Sequence, residues 1–334
     1  MSGTIDPWLN KVFIGHTEII RQLNQLKNSK SINNTLIFNG PIGVGKCTLA
    51  FRYCNYIFAN TDIAFIDYKQ KNDNIFSQVS NHSFPNLCYI SKNDEYGNSR
   101  EIKIDDIRNL KESLAGKLLN GGQRVIIIDT INDLNRSSQN ALLKILEEPP
   151  KDTLFILITH SISSLPDTIL SRCLKINFKN LSLSDTNQVL AHVSPEIEIG
   201  PTQDIYGESI SPGKIIYLVN NNFEEIVEDF NSLIGKSNVT NQMNIFRIIK
   251  YYSKKENILA FNILFELFMI WLKKNAISLL ADLNEDYKLY ELLSYWDKYS
   301  EKFNNLNIFN LDRGELLLSI HKDVCYLSDR KIDE

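Results

Sequence analysis

At 334 residues the chain is too long for one ordinary domain and suits two or three, and a hydrophobic content of 43% is enough to give each a core. A net charge of −4 excludes a uniformly basic protein that grips phosphate backbones unaided, so any role on nucleic acid is expected to be shared with partners. The most apolar stretch, 261–272, is broken by Asn262 and Glu266 and flanked by charge, so an amphipathic or buried helix is expected there rather than a membrane span.

The opening MSGTIDPWLNKVF has neither the basic nor the apolar region of a signal peptide, and a cytoplasmic protein is expected. TLIF (35–38) reads as a strand, and CTLAFRYCNYIF (47–58) as the helix that follows it. NLCYI (86–90) is a second strand. KIDDIRNLKESL starts a helix with Asp105 as its N-cap. RVIIID (124–129) and TLFILITH (153–160) are the continuous β-branched runs of buried parallel strands. Between them SSQNALLKILEE (137–148) carries Leu142, Ile145 and Leu146 at helical spacing, read as core, and stops at Pro149 and Pro150. Alternating strands and helices of this kind make an α/β domain with a parallel sheet.

After about residue 178 the strand signals fade. LSLSDTNQVLAHV and SPGKIIYLVNN read as short helices of a small domain, 178–222. From 223 to 334, FEEIVEDFNSLI, NILAFNILFELFMIWLKK and YKLYELLSYWDKYSEKF read as an all-helical domain. Its aromatics, Trp271, Tyr287 and Trp296 among them, are expected in core or subunit packing rather than as platforms for bases. The Asn-rich 304–310 reads as a loop. Five cysteines (Cys47, Cys54, Cys88, Cys173, Cys325) stand without CxxC pairs, so buried free thiols are expected and neither zinc nor disulfides.

One motif carries chemistry on its own. Gly40, Gly43, Gly45 and Lys46 fit the spacing of a phosphate-binding loop, in which glycines let backbone N–H groups turn inward at a helix N-terminus and the lysine reaches the phosphates. The next residue departs from the pattern. Cys47 stands where Ser or Thr supplies a hydroxyl to Mg²⁺, a hard cation that prefers oxygen. Thr48 has a hydroxyl but points about 100° away around the helix. Asp129 ends its strand as a metal-side carboxylate or as a cap of the next turn. Thr130 follows, with no carboxylate to orient water.

The stretch from Arg124 to Cys173, with NALLKILEEPP followed by TILSRC, resembles the clamp-loader AAA+ subunits of bacterial DNA polymerase III, well over residues 10–220 and only as a helical domain beyond. The resemblance implies a RecA-like AAA+ P-loop domain (1–177), a small helical lid (178–222) and a helical collar for oligomerisation (223–334). It implies a subunit of a polymerase holoenzyme with no polymerase activity of its own, partnered with motor subunits (gamma and tau) and a delta subunit, and reaching the sliding clamp and primed DNA through them. Motor subunits of the family carry GK[ST], a DE pair and four zinc-binding cysteines between the two Walker motifs. This chain has none of these, which fits a stator that hydrolyses little or no ATP; an autonomous motor is the alternative, and a small-molecule kinase gives the SRC motif no role. ATP with Mg²⁺ remains open as a ligand of the degenerate site formed by Gly40, Gly43, Gly45, Lys46, Cys47, Thr48 and Asp129. Thr159 and His160 cover the sensor-1 position, and Gly213, beside Lys214, stands where motors place the sensor-2 arginine. Arg172 corresponds to the family's finger into a neighbouring subunit's ATP site, against the plainer reading of an ion pair at a strand end.

Overall fold

The computed structural model describes residues 6–10, 12–28, 34–59, 73–92, 101–116, 118, 122–197, 200–207, 210–235, 239–279, 286–309 and 312–329. The chain divides into two compact units, 1–197 with 208–214, and 198–207 with 215–334.

The first unit is built on five parallel strands, β1 (Thr35–Asn39), β2 (Leu87–Ser91), β3 (Arg124–Asp129), β4 (Thr153–Thr159) and β5 (Leu174–Asn177), in the order β2-β3-β4-β1-β5. Its helices are α1 (Thr17–Asn28), α2 (Lys46–Ala59), α3 (Asp73–Ser80), α4 (Ile104–Leu114), α5 (Arg136–Glu147), α6 (Asp167–Leu170) and α7 (Leu183–Val193). The period-2 alternation of a strand divides β3 between two cores. Val125 and Ile127 pack with Leu36, Phe38, Leu49 and Ile156 on one face, beside α1 and α2. Ile126 and Ile128 pack with Ile107, Leu110, Leu142, Ile145 and Phe155 on the other, beside α4 and α5. Burial on both faces is why these strands read as unbroken apolar runs. With the glycine loop between β1 and α2, this is a RecA-like AAA+ P-loop fold, and it sets the loop and the ends of β3 and β4 along one edge of the sheet.

The second unit is all-helical. It holds α8 (Gly200–Tyr206), most of α9 (Pro212–Asn220), α10 (Phe223–Ile234), α11 (Val239–Tyr252), α12 (Ile258–Leu279), α13 (Asp286–Phe309) and α14 (Arg313–Asp329). Phe261, Leu264, Phe265 and Phe268 of α12 form its buried seam, with Phe265 stacked on Phe303 at 4.2 Å between ring centroids. Among the described residues no helix is long and apolar enough to cross a membrane.

Two local expectations are corrected. The N-cap of α4 is Lys103 rather than Asp105, because Asp106 at the third helical position turns back to accept the Lys103 backbone N–H at 2.8 Å. The asparagine-rich 304–309 is the last turn and a half of α13 rather than a loop, since Leu306 is buried there and packing outweighs the weak helix propensity of its neighbours; Asn310 lies outside the described residues. Leu142, Ile145 and Leu146 are core as expected. Trp271 is half-buried and rests against Phe268, Trp296 is exposed, and the side chain of Tyr287 lies outside the described residues. All five cysteines are free thiols, but only Cys54 is fully buried.

Candidate functional site

The glycine loop has the backbone its function requires. Gly40, Gly43 and Gly45 take φ of +154°, +78° and +94°, in the region that side chains avoid. At Gly40 there is a second reason, since a Cβ would lie 2.4 Å from the carbonyl oxygen of Phe178 beside β5. Lys46 opens α2 and is buried, its ammonium donating to the carbonyls of Gly40 (2.6 Å) and Pro41 (2.5 Å). Burial pulls its pKa down to about 8, with Asp129 opposing. No hydrogen bond among the described residues uses the N–H groups of Gly43, Val44 or Gly45, so these donors remain for an anion.

On the metal side the chemistry differs. The Cys47 thiol is pushed well above its ordinary pKa by burial first and by the Asp129 charge second. A thiol shifted in this direction favours its protonated form, which is a poor metal ligand. Asp129 is itself raised by burial, while the thiol, Lys46 and Tyr89, whose hydroxyl donates to Oδ2 at 3.5 Å, draw it back. Thr48 faces the interior. The loop fits phosphates, but a thiol held protonated in place of a hydroxyl does not fit Mg²⁺. Among the described residues no cluster of three or more His, Cys, Asp and Glu is placed to hold a metal.

The residues after Asp129 are tied to one another. The Thr130 hydroxyl donates to Asp133 Oδ2 at 3.0 Å, and the other Asp133 oxygen pairs with Lys92 at 3.5 Å. Asn132 accepts from the Thr159 hydroxyl (2.7 Å) and the His160 N–H (3.2 Å), and donates to the Ser161 carbonyl (3.0 Å) and Ser164 Oγ (2.7 Å). Thr159 is therefore turned into a lock between the ends of β3 and β4. His160 is exposed at that edge, yet its pKa falls to about 4, through local desolvation first and the Lys46 charge second, so it is neutral near pH 7. Asp133, Asn132, Lys92 and Tyr89 were not singled out in the sequence. A carboxylate four residues after Asp129 was the available signal for the first of them.

Gly213 has a packing reason to be glycine. A Cβ there would lie 2.6 Å from the Cα of Gly43, so the arginine that motor subunits place at this point has no room. Arg172 stands apart from the loop's contacts, after α6. Its guanidinium pairs with Glu147 at 2.9 Å and donates to the Thr168 carbonyl at 2.7 Å, leaving the side chain 34% exposed.

A family model described as DNA polymerase III, delta subunit matches residues 15–182, just over half of the chain. The chain belongs to that family. The matched residues of this delta-family chain run from α1 to the end of the sheet and contain the loop, Asp129 and Arg172. Among curated relatives it is 31% identical to the DNA polymerase III subunit tau/gamma of Haemophilus influenzae over 59% of its length and 28% of the relative's. It is 30% identical to subunit tau of Escherichia coli K12 over 56% of its length and 28% of the relative's. A shorter match, 38% identical over 76 residues, is to subunit delta' of Pseudomonas aeruginosa and covers 23% of each chain. The chain thus spans little more than a quarter of the first two relatives. Among solved structures, a gamma subunit-related protein of Thermotoga maritima aligns over 92% of this chain and 98% of its own, with 17% identity and a TM-score of 0.44.

Proposed function

We propose that this chain is a delta prime-type subunit of the DNA polymerase III clamp loader, a stator that does not hydrolyse ATP and that offers Arg172 to the ATP site of a neighbouring motor subunit. In this reading residues 1–177 are the P-loop domain, 178–222 the lid and 223–334 the collar. The collar holds the chain in a hetero-oligomer with gamma or tau and delta subunits, and the assembly places the sliding clamp on primed DNA. The observation that carries the stator reading is the thiol of Cys47, held protonated by burial first and by the Asp129 charge second, at the position where a hydrolysing site has a hydroxyl for magnesium. Thr130, bound to Asp133, adds a second missing part, the group that orients water. Arg172 suits a trans role because its guanidinium is at the surface and held by an exposed ion pair, an interaction worth only about 0 to 1 kcal/mol and easily exchanged for a phosphate.

The motor reading has its own support in the tau and gamma names of the longer matches and in the intact loop with Lys46. Turnover by the pure chain separates the two. We expect ATP hydrolysis at background level with and without magnesium and DNA. Steady turnover that disappears in Lys46→Ala contradicts the stator and establishes the motor.

A further inference from the structure

The phosphate-binding loop is held from outside by three successive carbonyls. Ile42 O accepts from the Ser211 hydroxyl at 2.6 Å, Gly43 O from the Gly213 N–H at 3.0 Å, and Val44 O is bonded to His16 Nε2 at 3.0 Å. Two of the three partners come from one short segment, 211–213, which lies 169 residues from the loop in sequence and belongs to the same compact unit. Ser211 is buried, and its own backbone is braced, with the Lys214 N–H donating to the Ser211 carbonyl at 3.1 Å. The approach is close enough that neither side tolerates a side chain: a Cβ on Gly43 would lie 2.7 Å from Lys214 N, and one on Gly213 would lie 2.6 Å from Gly43 Cα.

A peptide whose carbonyl is fixed outward has its N–H fixed as well, because the unit is planar. Anchoring carbonyls 42, 43 and 44 therefore orients the N–H groups of Gly43, Val44 and Gly45. These are the groups with no partner among the described residues. A loop of three glycines with positive φ would otherwise carry a large conformational entropy, which a phosphate has to remove on binding.

We propose that Ser211 and Gly213 are positioning residues that latch the phosphate-binding loop through its carbonyls, so that the loop holds its shape with no nucleotide present. The latch acts within this chain alone and does not depend on whether the chain is a stator or a motor.

The test is hydrogen exchange on the full-length chain, read at the Gly213 amide, which bonds the loop directly. In the wild type this amide exchanges slowly, at a rate that millimolar ATP and magnesium leave unchanged. Ser211→Ala, which removes one hydrogen bond of the latch, speeds it roughly tenfold, and Gly43→Ala, which forces the two backbones apart, speeds it more. Amides of β3 and β4 keep their rates in both variants. Gly200→Ala, a glycine with nothing within 4 Å of a built Cβ, changes nothing at Gly213. Equal Gly213 exchange in wild type and Ser211→Ala overturns the proposal. So does a wild-type rate that falls tenfold on adding ATP, since the nucleotide and not the latch would then be ordering the contact. That second arm stands even if Gly43→Ala fails to fold.

Discussion

Arg172→Ala is expected to slow hydrolysis at the neighbouring ATP site of an assembled complex by roughly 10³- to 10⁵-fold, the effect of losing an arginine finger, or about 4 to 7 kcal/mol of barrier. The chain itself stays folded in this variant, because Arg172 gives up one exposed pair with Glu147, one bond to the Thr168 carbonyl and a longer one to Ser171 Oγ, all exposed. Arg172→Lys rescues poorly, since a compact ammonium cannot present the planar fork that meets two phosphate oxygens. In a complex with several sites the total rate falls less than the single site does, so the comparison is of clamp- and DNA-stimulated rates for complexes matched in composition. Equal rates reduce Arg172 to the structural ion pair with Glu147. The Glu147 pair also gives the plainer reading of Arg172 a definite form: the finger, where it acts, leaves a cis carboxylate to do so.

The largest effect on stability is expected from Phe155→Ala. Phe155 is fully buried at the centre of β4 and packs among Ile37, Ile126, Leu142 and Leu157, so truncation loses its burial and leaves a cavity between the sheet and α5, at a cost of about 3 to 5 kcal/mol. Truncating Ile42, whose side chain is 60% exposed on the loop, costs less than about 0.5 kcal/mol. Chemical denaturation checks both. With Trp271 and Trp296 replaced by phenylalanine, Trp8 is the one remaining tryptophan and reports on the first unit alone. A shift for Phe155→Ala no larger than that for Ile42→Ala contradicts the burial of Phe155 in the core.

The elements that were legible in the sequence are those whose burial is uniform. β3 and β4 are covered on both faces, and their runs RVIIID and TLFILIT mark them almost to the residue. The helix FEEIVEDFNSLI is equally plain, because its one apolar stripe is its one buried face. β5 went unread: LKIN is four residues long, pairs on one side only and turns Lys175 and Asn177 outward, which leaves no apolar run to notice. The end of α13 was misread because asparagine argues for a loop locally, and only the burial of Leu306 against its neighbours argues otherwise.

The site divides in the same way. The loop, Lys46, Cys47 and Asp129 are legible because their roles depend on residue type at fixed spacing. That Cys47 and Asp129 lie close enough to shift each other's protonation is a fact of three-dimensional structure. So are the chain from Thr130 through Asp133 to Lys92, the lock that Asn132 makes with Thr159, and the mount that Ser211 and Gly213 give the loop. The glycine at 213 shows the difference well. In sequence it is a missing arginine, and in the structure it is the residue that lets two backbones meet.

Clamp loading by complexes that contain Lys46→Ala separates a stator from a motor most directly. Lys46 is the group of this chain that a hydrolysing site cannot do without, while a stator's work rests on its packed units and on Arg172. Complexes reconstituted from motor, delta and this chain, with either wild-type or Lys46→Ala protein, are compared for the rate at which they place a labelled clamp on primed DNA and for their ATP turnover. The stator account predicts equal loading and equal turnover from the two complexes. Assembly at the same stoichiometry with loading and turnover lost in Lys46→Ala contradicts it, and makes this chain a motor.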